Sequence, residues 1–117
     1  MRVVLLVPCA ISLLPMDRDL LKQQLEYTLD ETNFDDQGEL YRGKVRDNYI
    51  NDDTITMVTT DRISAFDRVL GTVPFKGHSL VELADWWFGE TADIVANHVI
   101  RRPHPNVWKV RRCQPIQ

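Results

Sequence analysis

A short polar turn between two strand-like runs constrains the fold of this chain more than any other feature. Val45 to Ile50 and Ile55 to Thr59 are predicted strands, and Asn51-Asp52-Asp53 separates them. Asn and Asp favour turns because their side chains bond to the neighbouring backbone. Neither face of the second run is strongly polar, so we expect it to lie in the centre of a sheet. The chain is therefore predicted to form a mostly antiparallel sheet.

Three further runs are predicted to be strands. In the last of them Trp108 and Val110 alternate with Lys109 and Arg111, as a half-buried strand requires. The three runs are Leu40 to Arg42, Val69 to Val73 and Val107 to Arg112.

Two helices complete a predicted α+β fold with helices packed on a small sheet. Asp17 is a candidate N-cap for a helix over residues 18–32, with three leucines on one face. A second helix is predicted over residues 80–96, where Ser79 and Glu82 have the spacing of a capping box. Its apolar period places Trp87 in the core and Trp86 at a boundary with another lobe. A stacking platform for bases is the alternative interpretation of these two tryptophans.

Composition indicates a soluble domain without a general affinity for nucleic acid. The 117 residues carry a net charge of -3, which lacks the basic excess of such binders. Cations concentrate late in the chain, where they form either a phosphate-binding strip or a solvated edge. They are Arg101, Arg102, Lys109, Arg111 and Arg112.

Residues 1–15 are interpreted as a weakly ordered apolar extension, and residues 16–117 as one lobe. The apolar run is too short to span a membrane, which takes about 20 residues. We expect Met16 to be the working start, with an export signal as the alternative. Cys9 and Cys113 lack metal-binding spacing and indicate reduced thiols in a cytoplasmic protein.

The segment Gly43-Lys44-Val45-Arg46 is a candidate anion site. Glycine lets the backbone approach an anion closely, and Lys44 and Arg46 would project to one side of an extended strand. Two cations beside exposed N–H groups suit a polyphosphate. An ordinary hairpin with no ligand remains the alternative.

The segment Thr59 to Asp67 places Asp61, Arg62, Ser64 and Asp67 after the most apolar strand. A loop at a strand end can present such groups to a ligand, and a guanidinium can bind a carboxylate or phosphate. A turn held by a local Asp61–Arg62 salt bridge is the alternative. The three histidines share no metal-binding spacing, so no metal site is predicted.

Four sequence segments, taken together and in their order along the chain, closely resemble the SAICAR synthetase family. The resemblance extends over about residues 39–117. The strings are Leu40-Tyr41-Arg42-Gly43-Lys44-Val45-Arg46-Asp47, Thr60-Asp61-Arg62-Ile63-Ser64-Ala65-Phe66-Asp67, Val73-Pro74-Phe75-Lys76-Gly77, and Trp87-Phe88 to Asn97-His98.

The resemblance implies an ATP- and magnesium-dependent ligase of purine biosynthesis. Its members phosphorylate the carboxylate of the ribonucleotide CAIR, and the amine of L-aspartate displaces the phosphate to give SAICAR. They have two lobes, of which the smaller is similar to a kinase amino lobe. This chain corresponds to that smaller, ATP-binding lobe.

The resemblance also implies roles for individual residues. Gly43, Lys44, Val45 and Arg46 would bind the ATP phosphates, with Lys44 and Arg46 stabilising developing charge. Arg111 would lie beside adenine. Residues 61–67 would form a mobile substrate loop, in which Asp61, Arg62, Ser64 and Asp67 face CAIR or aspartate.

The larger lobe of the family, with its acidic magnesium ligands, does not follow Gln117 in this sequence. We therefore expect no turnover from this polypeptide alone, and a homo-oligomer or a complementing second lobe as its partner. A non-catalytic nucleotide-binding or interaction remnant of the family is the alternative.

Overall fold

The structure, a computed structural model, describes residues 17–114. The predicted apolar extension and the predicted start at Met16 lie outside this range. No helix within it is long and apolar enough to cross a membrane. The helices are α1 (Arg18–Gln24) and α2 (Lys76–Glu90), and the strands are β1 (Glu39–Arg42), β2 (Arg46–Ile50), β3 (Thr54–Thr59), β4 (Arg62–Ala65), β5 (Arg68–Thr72), β6 (Val99–His104) and β7 (Val107–Arg111).

Five strands form one sheet in the order β1-β2-β3-β7-β6, and every neighbouring pair is antiparallel. Strands β4 and β5 form a separate hairpin. The predicted turn joins β2 to β3, where the Asn51 amide donates to the Thr54 carbonyl over 2.9 Å. The predicted α+β class and the central position of β3 are confirmed.

The sheet has two differently covered faces. On the helix face, Ile55, Met57, Trp108 and Val110 pack against Val81 of α2. On the loop face, Asp47, Tyr49, Thr56 and Val58 alternate with those residues and are buried. Residues 29–34 cover the loop face: Thr32 bonds to the side chains of Asp47 and Tyr49, and Phe34 stacks obliquely on Tyr49.

The helix predicted over residues 18–32 is wrong beyond Gln24. Its start is confirmed, because the Asp17 carboxylate accepts from the Asp19 amide at 2.9 Å. Further along, the Leu29 and Thr32 amides donate to buried carboxylates rather than to helical carbonyls. After Gln24, hydrogen bonds to distant residues therefore determine the backbone conformation, and the helical spacing of the leucines does not.

Helix α2 begins at Lys76, so the predicted capping box at Ser79 is wrong. Phe75 occupies the N-cap position in the left-handed region, with φ 62°, and makes no side-chain capping bond. The Asp61 carboxylate caps the helix instead, because it accepts a hydrogen bond from the Gly77 amide at 2.9 Å. A Cβ on Gly77 would lie 2.3 Å from the Thr59 carbonyl oxygen, so only glycine allows this close approach.

The predicted core position of Trp87 is also wrong. Trp86 and Trp87 are each 55% exposed, and Leu80 and Leu83 are exposed to a similar degree. The apolar arc of α2 is wider than its contact with the sheet, which buries only the edge containing Val81.

Strands β4 and β6 were not predicted. Polar residues and Pro103 obscure the alternation in β6, which tolerates a proline because it lies at the sheet edge. The substrate loop expected over residues 61–67 is instead largely β4 and the tip of its hairpin with β5.

Candidate functional site

The candidate anion site is the tight turn between β1 and β2. The Gly43 amide donates to the Arg46 carbonyl over 2.8 Å, which closes the turn. Lys44 and Val45 lie in this turn rather than in an extended strand. The strand argument for Lys44 and Arg46 projecting to the same side therefore does not apply.

A buried arginine holds this turn from beneath. The Arg62 side chain is 6% exposed and donates to the Lys44 carbonyl at 3.0 Å and to the Gly43 carbonyl at 2.9 Å. It also bonds to the Asp30 carbonyl. These bonds turn two carbonyl groups of the turn towards the protein interior.

Asp47, which is fully buried, is the counter-charge of Arg62. Its Oδ1 lies 2.8 Å from Arg62 Nη2, and its Oδ2 accepts from the Thr32 amide and hydroxyl. Burial by itself would raise the pKa of Asp47, but the hydrogen bonds from Arg62 and Thr32 outweigh burial and lower it. Asp47 is therefore a charged, fully bonded support of the turn.

The turn also keeps donors that the described residues do not use. The Val45 carbonyl accepts two hydrogen bonds from Thr60, one from its amide at 3.1 Å and one from its hydroxyl at 2.9 Å. Within residues 17–114, the amides of Lys44 and Val45 have no acceptor from the chain. Successive free amides beside cationic side chains form an anion-binding concavity.

The tip of the β4–β5 hairpin lies next to this turn. Lys44 Nζ forms an ion pair with the carboxylate of Asp67, and both side chains are mostly exposed. Phe66 and Asp67 form the tip with positive φ angles of 49° and 67°, and Phe66 is 98% exposed. The exposed ion pair is worth about 0–1 kcal/mol. It leaves Lys44 available to a competing anion.

The predicted substrate residues divide into two pairs. Asp61 and Arg62 are buried, and Asp61 accepts from the Leu29 and Gly77 amides. The local Asp61–Arg62 salt bridge considered as an alternative is absent from the described residues, because Arg62 pairs with Asp47. Ser64 and Asp67 are exposed on the hairpin. The support that Asp61 and Arg62 give to neighbouring backbone was not predicted.

Arg111 lies at the other end of the sheet from the turn. Arg46 pairs with Thr59 at one end of β3, and Arg111 pairs with Thr54 at the other end. At about 3.4 Å per residue, the two arginines are separated by about 17 Å along the strand. Arg111 borders a shallow, largely apolar cavity with walls that include Met57, Phe88 and Val110.

The late cations are partly neutralised by the chain. Arg102 forms ion pairs with Glu82 and Asp85 of α2, so it connects the edge strand to the helix. Arg112 donates to the Asn51 carbonyl at 3.3 Å. These two residues therefore contribute to the fold rather than to a free cationic strip.

A resident metal has no ligand set in this part of the protein. Between residues 17 and 114, no three histidine, cysteine, aspartate or glutamate side chains come together as a metal site.

Comparison with known families matches the part of the chain that contains these features. The family model described as SAICAR synthetase matches residues 39–117. The chain belongs to this family. The matched range includes the turn, the β4–β5 hairpin and α2, whereas α1 and the loop that covers Asp47 precede it.

Curated relatives bear the name phosphoribosylaminoimidazole-succinocarboxamide synthase, a ligase of purine biosynthesis. The protein of Legionella pneumophila (strain Paris) is 50% identical over 82 residues, covering 68% of this chain and 26% of that protein. The chloroplastic protein of Vigna aconitifolia is 51% identical over 72 residues, covering 62% of this chain and 21% of that protein. The chain thus spans about a quarter of the length of such relatives.

Solved structures of the family share the fold. A SAICAR synthase structure superposes with a TM-score of 0.64 and 28% identity, covering 72% of this chain and 37% of that chain. The SAICAR synthase from Saccharomyces cerevisiae, solved with SAICAR, gives the same TM-score and identity. The predicted likeness to the fold of this family is therefore confirmed.

Proposed function

We propose that this chain is the ATP-phosphate-binding lobe of a ligase that joins CAIR and L-aspartate to give SAICAR, ADP and phosphate. The observation that supports this most directly is the turn held by Arg62. Two carbonyls of the turn are bonded to Arg62, and two of its amides have no acceptor among residues 17–114, so the turn can offer donors to a polyphosphate.

The proposed reaction explains why such a surface is required. The CAIR carboxylate is a poor electrophile, so transfer of the terminal phosphoryl group of ATP converts it into an acyl phosphate and releases ADP. The amine of aspartate then attacks the acyl carbon, the C–O bond to phosphate breaks, and the amine loses a proton. Because all three reactants are anionic, a site must supply cations and N–H donors to bring them together.

Each residue of the turn has a proposed part in binding. The amides of Lys44 and Val45 donate hydrogen bonds to phosphate oxygens, and Gly43 keeps the backbone close to them. The side chains of Lys44 and Arg46 neutralise charge that builds up during phosphoryl transfer. Arg111, beside its apolar cavity, is proposed to border the adenine base.

The hairpin is proposed to face CAIR and aspartate. Ser64 and Asp67 are exposed and able to contact a ligand, whereas Asp61 and Arg62 act by holding the backbone beneath it. Magnesium would arrive with ATP and neutralise phosphate charge, with ligands from the larger part of the family's polypeptide. We also propose that the protein works in the cytoplasm, with that larger lobe as its partner.

A non-catalytic nucleotide-binding or interaction remnant is the second candidate. The turn supports it as well, because a surface that binds phosphate requires no catalytic step. The proposed function and a nucleotide-binding remnant both expect nucleotide binding by this chain, whereas an interaction remnant does not, and none of them expects the chain to complete the ligase reaction alone.

Titration of Mg-ATP into the 117-residue chain tests the proposal. Lys44→Ala should weaken binding about tenfold or more, because it removes a charge-assisted contact. Lys22→Ala is the matched control, since Lys22 is also an exposed lysine with one carboxylate partner. It should leave the affinity for ATP unchanged.

Two outcomes would count against the proposed function. If the wild-type chain binds no ATP, the nucleotide-binding role is wrong, and the remaining interpretation is a structural remnant of the family. If Lys44→Ala and Lys22→Ala weaken binding equally, the turn is not the site. A coupled ADP-release assay with CAIR and aspartate adds the catalytic measurement, and turnover by this chain alone would contradict its expected inactivity.

A further inference from the structure

The first turn of α2 is packed tightly against the end of β3. The Gly77 amide donates to Asp61, and its Cα approaches the Thr59 carbonyl so closely that no Cβ fits. The preceding Phe75, in the left-handed conformation, sets the direction in which the helix leaves. These contacts fix the position of Lys76, the first residue of α2, beside Thr59.

Arg46 reaches the same place from β2. It pairs with Thr59 across the antiparallel ladder, and paired residues project to the same face of a sheet. Thr59 shares that face with Met57, on which α2 packs. Arg46 and Lys76 therefore converge on one end of β3 from two different elements.

The electrostatics of Lys76 agree with this placement. Burial lowers its pKa, and repulsion from Arg46 and Arg62 adds to that effect, while attraction to Asp61 opposes it. A lysine in the first turn also opposes the positive end of the helix dipole, and this turn contains no acidic residue. The local arrangement is therefore unfavourable for a cation unless an anion joins it.

Asp61 attracts Lys76, but within residues 17–114 no carboxylate forms an ion pair with Lys76 or Arg46. Arg46 and Lys76 take part in none of the ion pairs there. The two oxygens of Asp61 already accept from the Leu29 and Gly77 amides. Asp47 is buried on the opposite face, with Arg62 and Thr32.

We propose that Lys76, together with Arg46, binds a phosphate group of a ligand. This inference rests on the proposed function, and it adds to that site a cation from α2. Lys76 is a binding residue that contacts the ligand directly. The shared chemistry is a phosphate with more than one negative charge, which either the polyphosphate tail of a nucleotide or the monophosphate of a ribonucleotide supplies.

The test is a set of titrations at constant ionic strength with ATP, inorganic tripolyphosphate and ribose 5-phosphate. The proteins are the wild-type chain, Lys76→Gln, Lys76→Arg and Lys44→Ala. Lys109→Gln is the matched control: Lys109 is likewise partly buried, but it pairs with Thr56, which belongs to the opposite face. Thermal unfolding of each variant verifies that it is folded at the titration temperature.

We expect Lys76→Gln to weaken binding of at least one probe about tenfold, Lys76→Arg to retain most of the affinity, and Lys109→Gln to match the wild type. A loss confined to ATP and tripolyphosphate assigns the site to the nucleotide tail. A loss confined to ribose 5-phosphate assigns it to the ribonucleotide.

The inference and the proposed function fail in different ways. If Lys44→Ala weakens ATP binding while Lys76→Gln binds every probe like the wild type, the role of Lys76 is overturned and the proposed function stands. If the wild-type chain binds none of the probes, both are overturned. A folded Lys76→Arg variant that loses as much affinity as Lys76→Gln also contradicts a charge-based role.

Discussion

The two faces of the central sheet are stabilised by different chemistry. On the loop face, Asp47 and Tyr49 are fully buried, and hydrogen bonds connect them with Thr32 and Arg62. On the helix face, the buried core is small and apolar, consisting of Val81, Trp108 and Val110. The loop face therefore fixes the geometry of the candidate phosphate-binding turn, whereas the helix face fixes the position of α2.

This difference shows how a polar interior can serve a binding surface. Hydrophobic packing is not directional, so it positions a helix without specifying where backbone carbonyls point. A guanidinium has five donors in a rigid fork and specifies its acceptors closely. Arg62 uses that fork to orient the carbonyls of Gly43 and Lys44, and the amides of Lys44 and Val45 have no acceptor within residues 17–114.

The largest expected effect comes from breaking the loop face with Asp47→Ala. Removing one member of a buried ion pair costs about 3–5 kcal/mol, because the other charge is left without compensation. The free energy of unfolding measured in urea should fall by that amount, and ATP binding should be lost with the turn geometry. Asp52→Ala, which changes an exposed aspartate in the β2–β3 turn, should change neither. Unchanged stability of Asp47→Ala would show that the network does not support the fold.

A smaller effect should follow from Val81→Ala on the helix face. Val81 is 4% exposed, and its truncation removes two carbon atoms from the apolar core. The expected loss is about 1.5–3 kcal/mol of unfolding free energy, from lost burial together with the cavity left behind. At a temperature where the variant remains folded, its affinity for ATP should equal that of the wild type. A large loss of affinity would contradict the claim that only the loop face fixes the geometry of the turn.

The smallest effect concerns acid stability. Because the folded protein lowers the pKa of Asp47, ionised Asp47 stabilises the fold above the ordinary aspartate value of 3.8, and this stability is lost as pH falls below it. Urea unfolding between pH 5 and pH 3, at about half-unit intervals, should show stability declining with acid. Asp47→Asn should be less stable near neutral pH and should show a shallower decline. Parallel pH profiles would exclude Asp47 as a contributor.

The sheet could be predicted from short-range patterns. The Asn51-Asp52-Asp53 turn joins neighbouring strands, and the apolar character of β3 is sufficient to place it centrally. The motif strings identified the family, which comparison then confirmed. The helix boundaries were less accurate, because α1 gives way to tertiary hydrogen bonds after Gln24 and α2 begins at a left-handed Phe75.

Candidate site residues could be predicted by type but not by their partners. The Arg62–Asp47 pair connects positions 15 residues apart, and the bond from the Leu29 amide to Asp61 connects positions 32 apart. Periodic patterns over a few residues of sequence do not indicate pairings between such distant positions. The same limit applies to Trp87, since a helical pattern shows which residues share an arc and not how much of that arc a sheet covers.

By itself, then, the sequence determined the family, the antiparallel hairpin and the concentration of cations and glycine at residues 43–46, because these depend on residue type and short spacing. Only the tertiary structure decided that Arg62 lies beneath the turn rather than in front of it. It also decided that Lys76 and Arg46 approach the same end of β3 from two different elements. Both outcomes depend on contacts between distant segments, which form only when the loop and α2 pack on opposite faces of the sheet.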